Sequence, residues 1–255
     1  MSNEKRVSAD EVFSKRARFY TTNKVHDDKE TLDRIIALAS PKKDMVVLDV
    51  ATGAGHTAMV LAPHVSSVKA LDLTPEMLEE GRKLSEQRGI TNITFVHGDV
   101  MSMPFDDGSF DIVACRRAAH HFTDIDGALL EMKRVLRQGG RLVIDDRTVP
   151  EDDEVDEAIN RLDRLHDASH IRDHRPSAWE NLLTRAGFSI ISFDTYRKHM
   201  PLAHFTKMVE PETATKMRMV VEGMSERAKE AVNLEDVDGQ PFMDNFFVLI
   251  SAKKE

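Results

Sequence analysis

Short apolar runs alternate with amphipathic segments through the first half of the chain, and this alternation limits the possible folds more than any other feature. Five of these runs have the length and character of strands, at residues 45–50, 67–71, 92–96, 110–115 and 141–144. Runs that are apolar on both faces are typical of parallel strands covered by helices on each side. The pattern therefore predicts βαβ units and a doubly wound α/β sheet.

The segments between these runs carry the residues that usually begin and end helices. Thr74 and Pro75 supply an N-cap and a proline at the first helical position, and Gly89 is a C-terminal signal. Asp124 begins a second predicted helix, which the pair Gly139-Gly140 is expected to end. These signals support helices between the predicted strands.

The pattern changes after residue 150. Residues 151–174 carry nine acids against three arginines and predict an acidic helical insertion. A helix over 177–186 and a strand over 188–197 are expected next, followed by a methionine-rich helical insertion over 200–240 and a last strand over 245–251. Because only a helical excursion separates the two late strands, we expect them to pair antiparallel.

This reading divides the chain into three parts of one domain. Residues 1–40 are expected to form an N-terminal helical cap and residues 41–150 the Rossmann-like core. Residues 151–255 are expected to add the acidic insertion, a methionine-rich lid and the antiparallel strands that complete the sheet.

Charge and cysteine content exclude several classes of protein. The chain has 35 Lys+Arg and 44 Asp+Glu, a net charge of −9, which argues against nucleic-acid binding through a broad basic face. The single cysteine, Cys115, excludes an intramolecular disulfide and a cysteine-cluster metal site. No run reaches the ~18 apolar residues of a membrane-spanning helix, and the first residues lack the apolar stretch of a secretory signal. We therefore expect a cytoplasmic protein, monomeric or homodimeric, with no nucleic-acid partner.

The turn after the first strand is the predicted ligand site. Gly53 and Gly55 allow a tight turn and the close approach of a ligand, and a helix N-terminus follows them. Asp72 and Asp99 end the second and third strands at the same edge of the sheet, where open α/β sheets bind ligands. The carboxylate of Asp72 can hold ribose hydroxyls, and that of Asp99 can accept an adenine amino group. These strand ends indicate a nucleotide-like ligand.

The residues alone leave the identity of this ligand open. The dinucleotide fingerprint G-x-G-x-x-G requires a third glycine where this chain has Ala58, which alanine sometimes replaces. An NAD-dependent oxidoreductase is therefore a weaker alternative. The phosphate-binding pattern G-x-x-x-x-G-K-[ST] is absent from the sequence.

Four segments together resemble a known family. They are VLDVATGAGHTA (47–58), LDLTPEML (71–78), HGDVMSMPFDDGSFDIVACRRAAHHF (97–122) and EMKRVLRQGGRLVIDD (131–146). Over roughly residues 10–200 the chain is similar to class I S-adenosylmethionine-dependent methyltransferases of the ubiquinone/menaquinone-biosynthesis branch, the type 11 methyltransferase domain. The resemblance implies a seven-stranded Rossmann-like sheet with the last strand antiparallel, helices on both faces and a helical insertion over the active site.

The resemblance also implies a transferase (EC 2.1.1.-) that uses S-adenosyl-L-methionine and releases S-adenosyl-L-homocysteine. Asp72 is expected at the ribose, Asp99 at the adenine amino group, and Arg116 near the methionine chain. Tyr20 lies on an N-terminal segment that is expected to close the site. The full set of expected cofactor-binding residues is Tyr20, Asp49, Ala51, Thr52, Gly53, Gly55, Asp72, Leu73, Met77, Gly98, Asp99, Val100, Arg116 and Ala118.

The methyl acceptor is less constrained than the cofactor. His120 and His121 follow the fourth strand at the rim of the expected pocket, where an imidazole can accept a proton. Packing on the sheet or a simple hydrogen bond explains these histidines equally well. The expected acceptor is a small, partly apolar molecule, aromatic or quinone-like, methylated at O, C or N. A non-catalytic S-adenosylmethionine-binding regulatory module is the alternative from another class.

Three further histidines, His166, His170 and His174, would share one face if a helix ran through all of them. A solvated acidic helix is the favoured interpretation, ahead of a pocket face, and no metal is expected. If the acidic insertion is a lid, its negative charge should disfavour anionic acceptors. Methionines in 200–240 would then form an adaptable apolar wall, although methionine at helical spacing is more often core.

Overall fold

In a computed structural model, residues 7–14, 28–206 and 209–255 are described. Within them the chain forms one eight-stranded sheet in the order β3-β2-β1-β4-β5-β8-β6, with β7 paired to β8 beside this path. The strands are β1 Val46–Val50, β2 Ser67–Asp72, β3 Ile93–His97, β4 Phe110–Arg116, β5 Leu136–Thr148, β6 Phe188–Pro201, β7 Glu235–Val237 and β8 Gln240–Lys254.

The direction of the strands confirms the predicted doubly wound sheet. The first five strands pair parallel. The terminal strand β8 runs antiparallel to both β5 and β6, between which it lies. The short β7 is an addition to the seven expected strands, and it forms a hairpin with the start of β8.

The described residues from 28 onward form nine helices of four or more residues. They are α1 Lys29–Ala39, α2 His56–Leu61, α3 Pro75–Gln87, α4 Ile125–Val135, α5 Asp153–His166, α6 Pro176–Arg185, α7 Ala203–Thr206, α8 Pro211–Glu222 and α9 Glu226–Ala231. Residues 9–14 are also helical. Asp124 caps α4 as expected, since its carboxylate accepts from the N–H of Gly127 at 2.9 Å. Among these helices, none combines the length and apolar character that crossing a bilayer requires.

The structure contradicts the expected end of one helix and the expected helix through His166, His170 and His174. Helix α4 stops at Val135, because Leu136 already pairs with Phe110 of β4, and Gly139-Gly140 fall at an irregularity of β5 instead. Helix α5 stops at His166, so His170 and His174 do not continue its face. The reason is Asp167, whose side chain accepts from the N–H and hydroxyl of Ser169 and turns the chain out of the helix.

Buried side chains cover both faces of the sheet. In β1, Leu48 and Val50 belong to one core cluster and Val47 to the other, as the alternation of a strand requires. A third cluster packs α5 against α8 and contains the buried Met217 and Met224. Met217 and Met224 of the second insertion are therefore core residues, whereas Met219 of α8 is exposed.

Arginines from elsewhere in the fold neutralise much of the acidic insertion. Arg147 pairs with both Asp163 and Asp173, and Arg175 pairs with Asp153 and Asp156. Arg227 similarly binds Asp152 and Glu154. The acids therefore attach α5 to its surroundings, and the expectation that their charge faces the acceptor is not supported by this packing.

Candidate active site

A cavity of about 400 Å³ opens at the carboxyl ends of the parallel strands. Its wall runs from the loop after β3, past the turns after β2 and β1, to the turn after β4. Thirteen of the residues singled out from the sequence meet there: Asp49, Ala51, Thr52, Gly53, Asp72, Leu73, Met77, Gly98, Asp99, Val100, Arg116, Ala118 and His121.

Among the described residues, Gly55 and His120 are the expected site residues that are not part of this wall. Tyr20 lies outside the described residues. Gly55 is the N-cap of α2 with φ 83°, and a Cβ there would stand 3.0 Å from the ring of Phe95, so packing requires this glycine. His120 lies behind the wall, where its Nδ1 is 2.5 Å from Asp146 Oδ1.

Asp72 connects the turns that follow β1 and β2. Its Oδ2 accepts from the N–H of Gly53 at 2.7 Å, and its Oδ1 accepts from the N–H of Thr74 at 2.9 Å. Burial raises the pKa of this carboxyl, while the two N–H donors oppose that shift. Asp72 also lines the cavity, so its carboxylate is in a position to accept from hydroxyl donors there.

Asp49 holds the turn after β1 from within. Its Oδ2 accepts from the hydroxyl of Thr52 at 2.5 Å and from the N–H of Ala58 at 3.0 Å. Burial raises its pKa to about 7, although these donors and Arg116 lower it. Asp49 therefore fixes the shape of the turn more than it contacts a ligand.

The raised pKa of Asp49 makes stability depend on pH. Between its unfolded value of about 3.8 and about 7, the unfolded chain releases a proton that the folded chain keeps, so rising pH destabilises the fold. We expect Asp49→Asn, whose amide oxygen can accept the same donors, to gain stability relative to the parent between pH 5 and pH 8. Urea unfolding at both values measures this, and Asp194→Asn, a half-exposed carboxylate beside Arg34, is the matched control. An unchanged difference between Asp49→Asn and the parent would contradict the assignment.

The two adjacent histidines have different surroundings. The carbonyl of His120 accepts from the N–H groups of Ile171 and Arg172, so His120 ties the segment after α5 to the sheet. Burial would raise the pKa of Asp146, but the charge and hydrogen bond of His120 bring it to about 2. His121 lines the cavity, and burial together with the neighbouring His120 lowers its pKa to about 4. Of the pair, His121 is the imidazole in a position to meet a ligand.

Two arginines follow β4 and form part of the wall. The Nε of Arg116 donates to the hydroxyl of Thr57 at 3.1 Å, and burial lowers the pKa of this guanidinium. Arg117 is bound to Asp145 and to the hydroxyl of Tyr196, both at 2.9 Å. Arg116 therefore places a positive charge at the turns after β1 and β4, while Arg117 supports the wall.

Sequence reasoning missed an apolar part of the wall. Phe13 from the N-terminal helical segment, Met101, Phe122 and Ile171 come together there, and Ser169 lies beside them. Met101 and Phe122 belong to the segment 97–122, but no local motif connects that segment to Phe13 or to the pair Ser169 and Ile171. The described residues of 200–240 do not line this cavity, whereas residues 7–9, 13, 169 and 171 do.

Asp163, His170 and Asp173 are grouped closely enough to suggest a metal site. Among the residues that the structure describes, their ligand atoms lie within 4.8 Å of one another. Arg147 already donates to Asp163 Oδ2 at 2.6 Å and to Asp173 Oδ2 at 3.3 Å. The guanidinium supplies there the positive charge that a cation would bring.

The comparisons with known protein families, sequences and structures agree on one family. Residues 48–144 match the family described as "Methyltransferase domain". The chain is 41% identical over 172 residues to the uncharacterized methyltransferase YcgJ of Bacillus subtilis (strain 168), a match that covers 68% of each protein. A crystal structure of YcgJ superposes with a TM-score of 0.85 at 31% identity, covering 89% of this chain and 99% of that one.

Two further relatives extend the comparison. The structure of a putative methyltransferase from Bacillus halodurans C-125 has a TM-score of 0.84 at 32% identity, covering 88% of this chain and 98% of that chain. A demethylmenaquinone methyltransferase of Thermus thermophilus is 40% identical over 114 residues, which are 44% of this chain and 51% of that protein. The match thus spans about half the length of this relative. The sequence matches, the shared fold and the cavity at the strand ends lead to one conclusion: the chain belongs to the class I S-adenosylmethionine-dependent methyltransferases, enzymes of methyl transfer.

Proposed function

We propose that the protein transfers a methyl group from S-adenosyl-L-methionine to O, C or N of a small, partly apolar acceptor. The observation that carries this proposal is the composition of the cavity. One stretch of its wall holds the carboxylates Asp72 and Asp99, and another holds His121 among apolar side chains. Its volume of about 400 Å³ falls in the range of about 300–1,000 Å³ typical of small-molecule sites.

The residues at the strand ends fit the cofactor. Asp72 lines the cavity, where its carboxylate can accept from ribose hydroxyls, and Asp99, whose Oδ1 accepts from the N–H of Met101 at 2.9 Å, has Oδ2 for an amino group. Gly53 has φ 55°, a backbone conformation that a side chain would strain, and it lies in the cavity wall where a ligand can approach the backbone closely. Arg116 is suited to the carboxylate of the methionine chain.

The bound cofactor supplies an activated methyl group on a sulfonium. The protein therefore has to position the acceptor, exclude water and receive a proton. Phe13, Phe122 and Ile171 favour an acceptor with an apolar body, and His121 supplies the proton acceptor. The similarity to a demethylmenaquinone methyltransferase supports an aromatic or quinone-like acceptor.

Titration calorimetry with S-adenosylmethionine and S-adenosylhomocysteine tests the cofactor assignment. We expect saturable binding of both at one site, and no binding of either would contradict the proposal. Incubation with methyl-labelled S-adenosylmethionine and a panel of phenols, hydroquinones and amines tests the acceptor class. Binding without transfer to any of them would instead favour a non-catalytic regulatory module.

The lowered pKa of His121 predicts the pH dependence of turnover. With a pKa of about 4, its imidazole is neutral at pH 7 and loses its acceptor lone pair only when the pH falls toward that value. We expect the contribution of His121 to kcat to stay constant from about pH 8 to pH 5 and to fall below that. Stopped-time assays over this range check it, with circular dichroism as a control for folding. A fall in kcat centred near pH 6.5 that disappears in His121→Gln would contradict the assignment.

A further inference from the structure

A chain of hydrogen bonds connects His121 to a buried acid outside the cavity. His121 Nδ1 lies 3.2 Å from Ser169 Oγ, and Ser169 Oγ lies 2.6 Å from Asp167 Oδ1. Ser169 is 4% exposed and Asp167 is 7% exposed, so solvent does not readily replace either contact. The N–H of Ser169 also donates to Asp167 Oδ1, at 2.9 Å, which holds the two residues together.

The order of donors along this chain determines which nitrogen of His121 carries the proton. An ionised carboxylate only accepts, so the single hydroxyl proton of Ser169 points to Asp167. The Ser169 oxygen can then only accept from His121, and Nδ1 must be the protonated nitrogen of the neutral ring. Nε2 is then the nitrogen that keeps its lone pair. Because the ring lines the cavity, this lone pair is available to a ligand there.

We infer that Asp167 and Ser169 are positioning residues that hold His121 with its proton on Nδ1, so that Nε2 receives the proton of an acceptor O–H or N–H group. This inference rests on the proposed function. In the step, the heteroatom forms its bond to the methyl group while the methyl–sulfur bond breaks and its electron pair stays on sulfur. The O–H or N–H proton moves to Nε2, and Asp167 then faces an imidazolium through Ser169. The preferred acceptors are accordingly phenols, enols and N–H groups.

The surroundings of His121 favour this arrangement over a freely rotating ring. The ring of Phe13 meets it edge-on at 5.1 Å between centroids, and the ring of His120 lies at 4.1 Å. The side chain of His120 is held by Asp146. The carbonyl of His120 accepts from the N–H groups of Ile171 and Arg172, which follow Ser169 in the chain. The ring and its partner are thus fixed on connected pieces of backbone.

Nitrogen NMR of the full-length protein tests the tautomer without any acceptor. In the parent at pH 7.5, we expect a pyrrole-type shift for His121 Nδ1 and a pyridine-type shift for Nε2, with the signals assigned by their loss in His121→Gln. In Ser169→Ala, which removes the acceptor for Nδ1–H, the ring should move toward the tautomer with its proton on Nε2. A parent ring protonated on Nε2 would overturn the inference, even if no Ser169 variant folded.

Kinetics supply the second arm of the test. Ser169→Ala should lower kcat about tenfold to hundredfold, part of the factor of about 10²–10⁴ that general bases contribute, with cofactor affinity unchanged. Ser169→Thr, which keeps the hydroxyl, should restore both the tautomer and the turnover. Ser177→Ala, an exposed serine bonded to Glu151, is the matched control and should change neither. An unchanged kcat in Ser169→Ala would overturn the positioning role of Asp167 and Ser169. If the parent shows the expected tautomer but methylates none of the acceptors, only the proposed function is overturned.

Discussion

Asp72→Ala is expected to weaken S-adenosylhomocysteine binding by about a hundredfold or more. Hydrogen bonds to a charged group contribute about 1.5–3 kcal/mol each, and two ribose hydroxyls would lose such a partner. The variant also removes the acceptor of the Gly53 and Thr74 N–H groups, so the turns after β1 and β2 lose their connection. Titration calorimetry measures the affinity, and urea unfolding measures the accompanying loss of stability.

Two controls separate the ligand contact from the structural one. Asp72→Asn keeps one acceptor oxygen and should retain more stability than Asp72→Ala while still losing most of the affinity. Asp107→Ala removes an exposed carboxylate that pairs with Arg134 and should leave cofactor affinity unchanged. Affinity in a folded Asp72→Ala protein equal to that of the parent would contradict the placement of the ribose.

The parallel part of the fold could be predicted because its signals are local. Each of the first five strands is a short apolar run, and capping residues such as Asp124 mark the helices between them. Where the sequence misled, a distant contact decided the outcome. Leu136 leaves α4 because Phe110 of β4 pairs with it, and nothing in the residues around Gly139 indicates that partner.

The cofactor side of the site could be predicted for the same reason, and the acceptor side could not. Asp72 and Asp99 stand at the ends of strands whose order follows from the βαβ pattern. Phe13 and Ser169, in contrast, reach the cavity from segments that lie far apart in the sequence, and only the packing of the folded chain brings them together. The acidic insertion shows the same limit, since its charge appears solvated until Arg147 and Arg175 are placed against it.

Arg147→Met is expected to cost about 3–5 kcal/mol of folding free energy, because it leaves buried carboxylates without their cation. Burial alone would raise the pKa of Asp163, but Arg147 brings it to about 2. Burial and the nearby charge of Asp163 together raise the pKa of Asp173. Without the arginine, the pKa of Asp163 must rise, so the deficit relative to the parent should shrink as the pH falls from 7 to 4. Urea unfolding at these values measures both effects.

Two further charge variants test whether the loss of stability in Arg147→Met comes from the burial of its partners. Arg185→Met removes an exposed pair with Asp126 and should cost at most about 1 kcal/mol. Combining Arg147→Met with Asp163→Asn removes both buried charges and should recover much of the loss. A loss of folding free energy below about 1 kcal/mol in Arg147→Met alone would contradict the argument.

The same substitution should also affect catalysis, because Asp173 lies two residues after Ile171, in the segment that brings Ser169 and Ile171 to the cavity. A folded Arg147→Met protein should therefore show lower turnover with cofactor affinity retained. This result would connect the acidic insertion to the acceptor side of the site.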